Sequence, residues 1–274
     1  MTNYSKIDNP VILKSIFFPH RQARTPLPPG ACDLDVNIDD ISIGCRFYSS
    51  SKEAPNILYF HGNGETVNDY NKTALLYNEQ GVNILVTSYR GYGWSTGKPS
   101  VSALMNDAGE LLDFAEKWLQ ENGFTSPLFV MGRSLGCASA IELAYNRPDS
   151  FKGLIIESGF ADLAPIAKRL GIDTDALGFT EADGFNNRYK IGQITMPTFI
   201  LHGQKDELIP IAEAERLQAF SGARNKQFHI IPGAGHNSMI ETGGEQYFQG
   251  IKNFIDTVTG ENSWRKRRKD FKKL

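Results

Sequence analysis

The chain has 274 residues, 41% of them hydrophobic and 22% charged, the composition of an ordinary globular protein. A formal net charge of −2 supplies no basic field, so no nucleic-acid partner is expected. Cys32, Cys45 and Cys137 lack metal-site spacing and argue against a disulfide framework, while the absence of a leader pattern or of about 18 consecutive apolar residues makes the cytoplasm the expected location.

The first thirty residues read as irregular, because Pro19, Pro26, Pro28 and Pro29 break regular structure. A hairpin follows. Leu34, Val36 and Ile38 alternate with polar neighbours, Asp39 and Asp40 turn the chain, and Ile41, Ile43, Cys45 and Phe47 alternate again. Alternation of this kind fits edge strands with one wet face. From residue 56 the pattern changes to short continuous apolar runs at 57–60, 84–86, 128–131, 154–156 and 198–201, with a less pure one at 228–231. Such runs fit strands buried on both faces of a parallel sheet.

Helical spacing fills the intervals. In residues 101–120 the apolar positions Leu104, Ala108, Leu111, Leu112, Ala115 and Leu119 form one stripe, and Asn122-Gly123 ends it. Residues 135–145 are small and apolar nearly all round until Pro148 stops them, and 211–220 and 247–258 are two further helices. Strands alternating with helices predict an α/β fold, a three-layer α/β/α sandwich with a mostly parallel sheet. Residues 160–195 break the rhythm with a short helical piece at 163–170 and a polar stretch, an interval suited to a small lid. The expected organisation is one domain over 1–260 and a basic tail over 261–274.

Gly132-Arg133-Ser134-Leu135-Gly136 matches G-x-S-x-G between an apolar run and a small-residue helix, the strand–turn–helix setting of a nucleophile elbow. The bland alternative is a Gly-Ser packing turn. A serine hydroxyl needs a base, usually a histidine held by a carboxylate. Of five histidines, His236 lies in Gly233-Ala234-Gly235-His236-Asn237, a loop after the last run, where a parallel sheet builds its site. His229 falls inside a strand, His202 at a strand end, His61 in another motif and His20 in the proline-rich start. Asp206, after the 198–201 run, is the expected acid, with Asp162 the second choice and Glu207 expected to point elsewhere. His61-Gly62-Asn63-Gly64-Glu65 reads as an oxyanion loop, so the backbone N–H groups of Asn63 and Leu135 are the candidate donors. Gly62 and Phe160 are candidate substrate contacts.

Over about 34–258 the chain resembles the α/β-hydrolases, most of all the BEM46-like proteins and the compact ABHD-type lipases and depalmitoylases. The shared segments are 59–64, 88–100, 132–136, 201–210 and 233–237. This resemblance implies about eight strands with the second antiparallel, and a serine hydrolase with Ser134, His236 and Asp206 as its triad. The segment at 88–100 fits neither a dinucleotide fingerprint nor a P-loop, since Thr96 replaces the last glycine and Pro99 follows Lys98. No cofactor and no metal are expected. The expected partner is a small acyl substrate, with carboxylesterase ranked before thioesterase or depalmitoylase and small-peptide hydrolase. A non-catalytic ligand binder on the same scaffold is the reading from another class. Trp264 and Phe271 in the basic tail would share a helical face at a membrane surface, although a solvated tail is the favoured reading.

Overall fold

The computed structural model describes residues 4, 6–169, 171, 178 and 180–261. The basic tail over 264–274, with Trp264 and Phe271, lies outside the described residues. The strands are β1 (Ala31–Ile38), β2 (Ile41–Tyr48), β3 (Asn56–Phe60), β4 (Asn83–Thr87), β5 (Leu128–Arg133), β6 (Leu154–Glu157), β7 (Thr198–Gly203) and β8 (Lys226–Ile231). They form one sheet in the order β1-β2-β4-β3-β5-β6-β7-β8. β2 runs antiparallel to both β1 and β4, and every pairing from β4 through β8 is parallel. Each apolar run is a strand.

Eight α-helices are described: α1 (Pro10–Ile16), α2 (Thr73–Glu79), α3 (Val101–Glu121), α4 (Gly136–Asn146), α5 (Ala164–Arg169), α6 (Asn187–Gln193), α7 (Ile211–Phe220) and α8 (Met239–Thr259). Successive strand residues feed opposite cores, as a period of two requires. Leu58, Phe60 and Val130 pack with α3, α4 and α7, whereas Ile57, Tyr59 and Met131 pack with α2 and α8. α3 begins where Ser100 Oγ accepts the Ala103 N–H at 3.1 Å, and it buries the stripe from Leu104 to Leu119.

Four expectations need correction. Residues 10–16 are helical, with Pro10 in the first turn, where its missing N–H costs nothing. The wet face belongs to β1 alone: β2 lies one strand in and is buried from Ile43 onward. Its Arg46 is fully buried, because Nε and Nη2 grip both Asp33 oxygens at 2.6 and 3.1 Å. The interval after β6 holds a second helix, α6, whose polar sequence hides the buried Lys190, paired with Glu142 and the Phe185 carbonyl. α8 begins eight residues before the expected start, and its first turns are set off by Gly244 at φ 49°.

Candidate active site

The site lies at the carboxyl ends of β3, β5, β7 and β8, where four loops converge. Ser134 sits between β5 and α4 at φ 52°, a left-handed conformation that costs a non-glycine residue about 1–2 kcal/mol. Its N–H donates to Glu157 O at 2.9 Å, which helps to fix the turn. A Cβ at Gly132 would overlap the Gly136 backbone, and one at Gly136 would overlap the Phe60 carbonyl. The flanking glycines are therefore demanded by contact, since strand, turn and helix are pressed together there.

The turn aims Ser134 Oγ at His236 Nε2, 3.0 Å away, and His236 Nδ1 lies 2.8 Å from Asp206 Oδ2. A carboxylate only accepts, so Nδ1 carries the proton and Nε2 is left to accept from the hydroxyl. All three residues are buried. Burial pushes the Asp206 carboxyl up, but the hydrogen bond and charge of His236 and the Ile209 N–H outweigh it and hold the group below its ordinary value. Its Oδ1 accepts the N–H groups of Leu208 and Ile209 at 3.0 and 2.8 Å.

His202 stands on the other side of the same carboxylate, with Nε2 3.5 Å from Asp206 Oδ2 and 2.9 Å from Ile209 O. Burial drives its pKa down, so the ring is neutral and donates to Ile209 O. Asp162 instead faces Arg188 at 3.2 Å and Arg216 at 3.8 Å. Glu207 accepts the His236 backbone N–H at 3.3 Å and does not meet its ring.

Neither the Asn63 nor the Leu135 backbone N–H has a hydrogen-bond partner among the described residues. Both residues line a cavity of about 110 Å³ that also touches Ser134 and Phe160. Gly62 is a correction. It does not line this cavity, and its N–H donates to Glu65 Oε2 at 2.7 Å. The cavity wall is almost wholly apolar, built from Leu163, Ile166, Phe185, Leu208 and Ile209 together with Ile16 and Phe18 from the N-terminal segment.

Behind the elbow lies a charged cluster that motif reasoning passed over. The buried Arg133 pairs with Glu65, and its Nε lies 3.4 Å from Glu157 Oε1. Its Nη2 donates to His236 O at 2.9 Å and to Asn237 Oδ1 at 3.0 Å. Glu65 also accepts from Tyr70 Oη at 2.6 Å, and Glu157 from Tyr247 Oη at 2.7 Å. Burial raises the Glu65 carboxyl, but Arg133 overrides it and brings the group below its ordinary value. At the more deeply buried Glu157, burial wins and the carboxyl is raised. One guanidinium thus ties the Gly62-Asn63 loop, the serine turn and the histidine loop together. The available signal was a charged residue inside a motif otherwise built of small and apolar ones.

The mixed sheet, its covering helices and a strand–turn–helix serine define an α/β-hydrolase. The family model described as serine aminopeptidase, S33, matches residues 51–172 and 187–243. Protein bem46 of Schizosaccharomyces pombe is 32% identical over 213 residues, covering 75% of this chain and 69% of that protein. The α/β-hydrolase domain-containing protein WAV2 of Arabidopsis thaliana is 30% identical over 222 residues, covering 76% and 71%. An esterase of Pyrococcus furiosus superposes with a TM-score of 0.70 at 18% identity, over 87% of this chain and 98% of that one. The chain belongs to the serine aminopeptidase S33 family, among its BEM46-like α/β-hydrolases. Among the described residues no helix is long and apolar enough to cross a membrane.

Proposed function

We propose that the protein is a serine carboxylesterase that transfers an apolar acyl group to water through a covalent acyl-enzyme. Ser134 Oγ attacks the ester carbonyl carbon as His236 Nε2 takes its proton. The carbonyl electron pair moves onto oxygen, and the Asn63 and Leu135 N–H groups hold that oxyanion. Losing one such donor typically raises the barrier by about 2.7–4 kcal/mol. Collapse expels the alcohol, which takes the proton back from His236. Water then repeats the sequence on the acyl-serine and releases the acid. Asp206 holds the imidazole tautomer and stabilises the imidazolium throughout.

The observation that carries this reading is the continuous hydrogen-bond chain Ser134–His236–Asp206, whose Ser134 end lines an apolar cavity. The family's description raises aminopeptidase activity, which requires a group to pair with a free α-ammonium. No carboxylate lines the cavity among the described residues, which favours an uncharged acyl ester. Fluorophosphonate labelling with intact-mass readout tests the proposal, together with p-nitrophenyl acetate hydrolysis. A single adduct that Ser134→Ala abolishes, along with turnover, is the expected result. A folded wild type that takes no adduct overturns it.

A further inference from the structure

The N-terminal segment, read from its prolines as irregular, crosses the mouth of the cavity and is fixed at many points. Asp8 Oδ1 accepts the Val101 N–H at 2.6 Å, which docks the segment on the start of α3. Lys6 pairs with Asp183, two residues before the cavity-lining Phe185, at 2.9 Å. Beyond α1 the backbone bonds to Gly93 from both sides, with His20 O accepting at 2.8 Å and Gln22 N donating at 3.0 Å. Between these anchors the segment meets the side chain of Asn63. Its Nδ2 donates to Ile16 O at 2.5 Å, and its Oδ1 accepts from Phe18 N at 2.9 Å and Tyr92 Oη at 2.7 Å.

The Asn63 side-chain oxygen thereby has both lone pairs taken, and one of its two Nδ2 hydrogens is committed to the strap. The strap in turn places Ile16 and Phe18 in the cavity wall, which they share with Phe160, Leu163 and Phe185. Ile16 is buried and Phe18 is exposed, so the first forms the inner wall and the second the rim.

We infer that this strap is the specificity element of the site. Ile16 sets the length of acyl chain that the cavity accepts, and the substrate class is an ester of an uncharged aliphatic acid. The inference rests on the acyl-transfer reading above, and it adds which part of the substrate the cavity holds and which residue measures it. A charged acyl group would enter a wall that, among the described residues, has no charged side chain, and would lose its hydration without a partner.

The test is kcat/KM over p-nitrophenyl esters of increasing straight acyl length, beside a series of acetate esters in which only the alcohol lengthens. Wild type, Ile16→Ala and Ile16→Trp are compared, with Ile16→Val as the milder variant should Ile16→Ala fold poorly. Ile16→Ala and Ile16→Val should move the acyl optimum to longer chains and Ile16→Trp to shorter ones. The ratio of long to short ester should change at least about tenfold between the extreme variants, as one methylene in an apolar pocket commonly commands. The alcohol series should keep its shape. An unchanged acyl profile, or a shift confined to the alcohol series, overturns the inference. Labelling of Ser134 by a short fluorophosphonate, run on each variant, separates the two readings. If Ser134 is labelled and the profile is unmoved, the strap assignment fails alone; if it is never labelled, the chemistry itself fails.

Discussion

Replacing Arg133 by methionine keeps the aliphatic length of the side chain and removes the cation between Glu65 and Glu157. Breaking a buried ion pair typically costs about 3–5 kcal/mol, because the remaining charge is left unpaired. Glu157 is essentially sealed from solvent, with 1% of its side chain exposed, so it incurs that cost in full; Glu65, at 24%, incurs less. The His236 carbonyl also loses its donor, which adds about 1 kcal/mol or more, so the sum is at least about 4 kcal/mol at pH 8, a large part of the roughly 5–15 kcal/mol that holds a typical domain.

The sign of the pH dependence follows from the two carboxyls. In the wild type Arg133 holds Glu65 below its ordinary value, a stabilisation present above about pH 4.3 and lost as pH falls through the lowered value. In the variant the cation no longer opposes burial, so both carboxyls move up, although the Gly62 N–H and the Tyr70 and Tyr247 hydroxyls still hold them down in part. The folded state then keeps protons that the unfolded chain releases above about pH 4.3, so stability falls as pH rises, by up to about 1.4 kcal/mol per unit for each group. Urea denaturation at pH 5 and pH 8 should show the larger deficit at pH 8, and Arg133→Met/Glu157→Gln should recover part of it. The histidine loop also loosens, and a misplacement near 1 Å is enough to lower kcat/KM by about 100-fold. A deficit below about 1 kcal/mol at pH 8, or one equal at both pH values, would refute the claim that Arg133 neutralises this cluster.

Asp206→Asn leaves the shape of the site but offers His236 Nδ1 an amide, and kcat should fall by about 10⁴-fold with the circular dichroism spectrum unchanged. A loss under tenfold in an ester assay would remove Asp206 from the mechanism. His61 and His202 are both driven below their ordinary pKa by burial, so the unfolded chain takes up protons that the folded one refuses. Stability should therefore decline as pH falls below about 6.5, ahead of most carboxylates. His202→Gln should flatten that decline in urea titrations at pH 5.5 and 7.5, and an identical slope would exclude His202 as a source.

The parts legible in the sequence were those with strong local causes. Buried parallel strands announce themselves as apolar runs, and the serine turn does so through glycines that no larger residue can replace at that contact. The strap was hidden because its order comes from elsewhere. Its anchors are Asp8 on α3, Lys6 on Asp183 and the backbone on Gly93, partners from about 70 to 180 residues away. A local cue was nonetheless present, since Asn9-Pro10 precedes Ile12 and Ile16 at helical spacing and the later prolines lie beyond the helix. Arg46 misled for a related reason. Alternation assigns it to the wet side of a strand, but Asp33, opposite it in register, lets it be buried.

The strap also has a place in time. It is synthesised before the elements it docks on: α3 begins at Val101, and Lys190, whose Nζ lies 3.0 Å from Tyr4 Oη, follows Tyr4 after 186 residues. At roughly 5–20 residues per second, that partner appears about 10–40 s after the strap. Ile12, Ile16 and Phe17 share a core with α3 and with Phe185 and Ile191, so their cover is not complete until that later part of the chain is made. The cavity, whose wall runs in sequence from Ser15 to Ile209, therefore cannot be complete until most of the chain has been made.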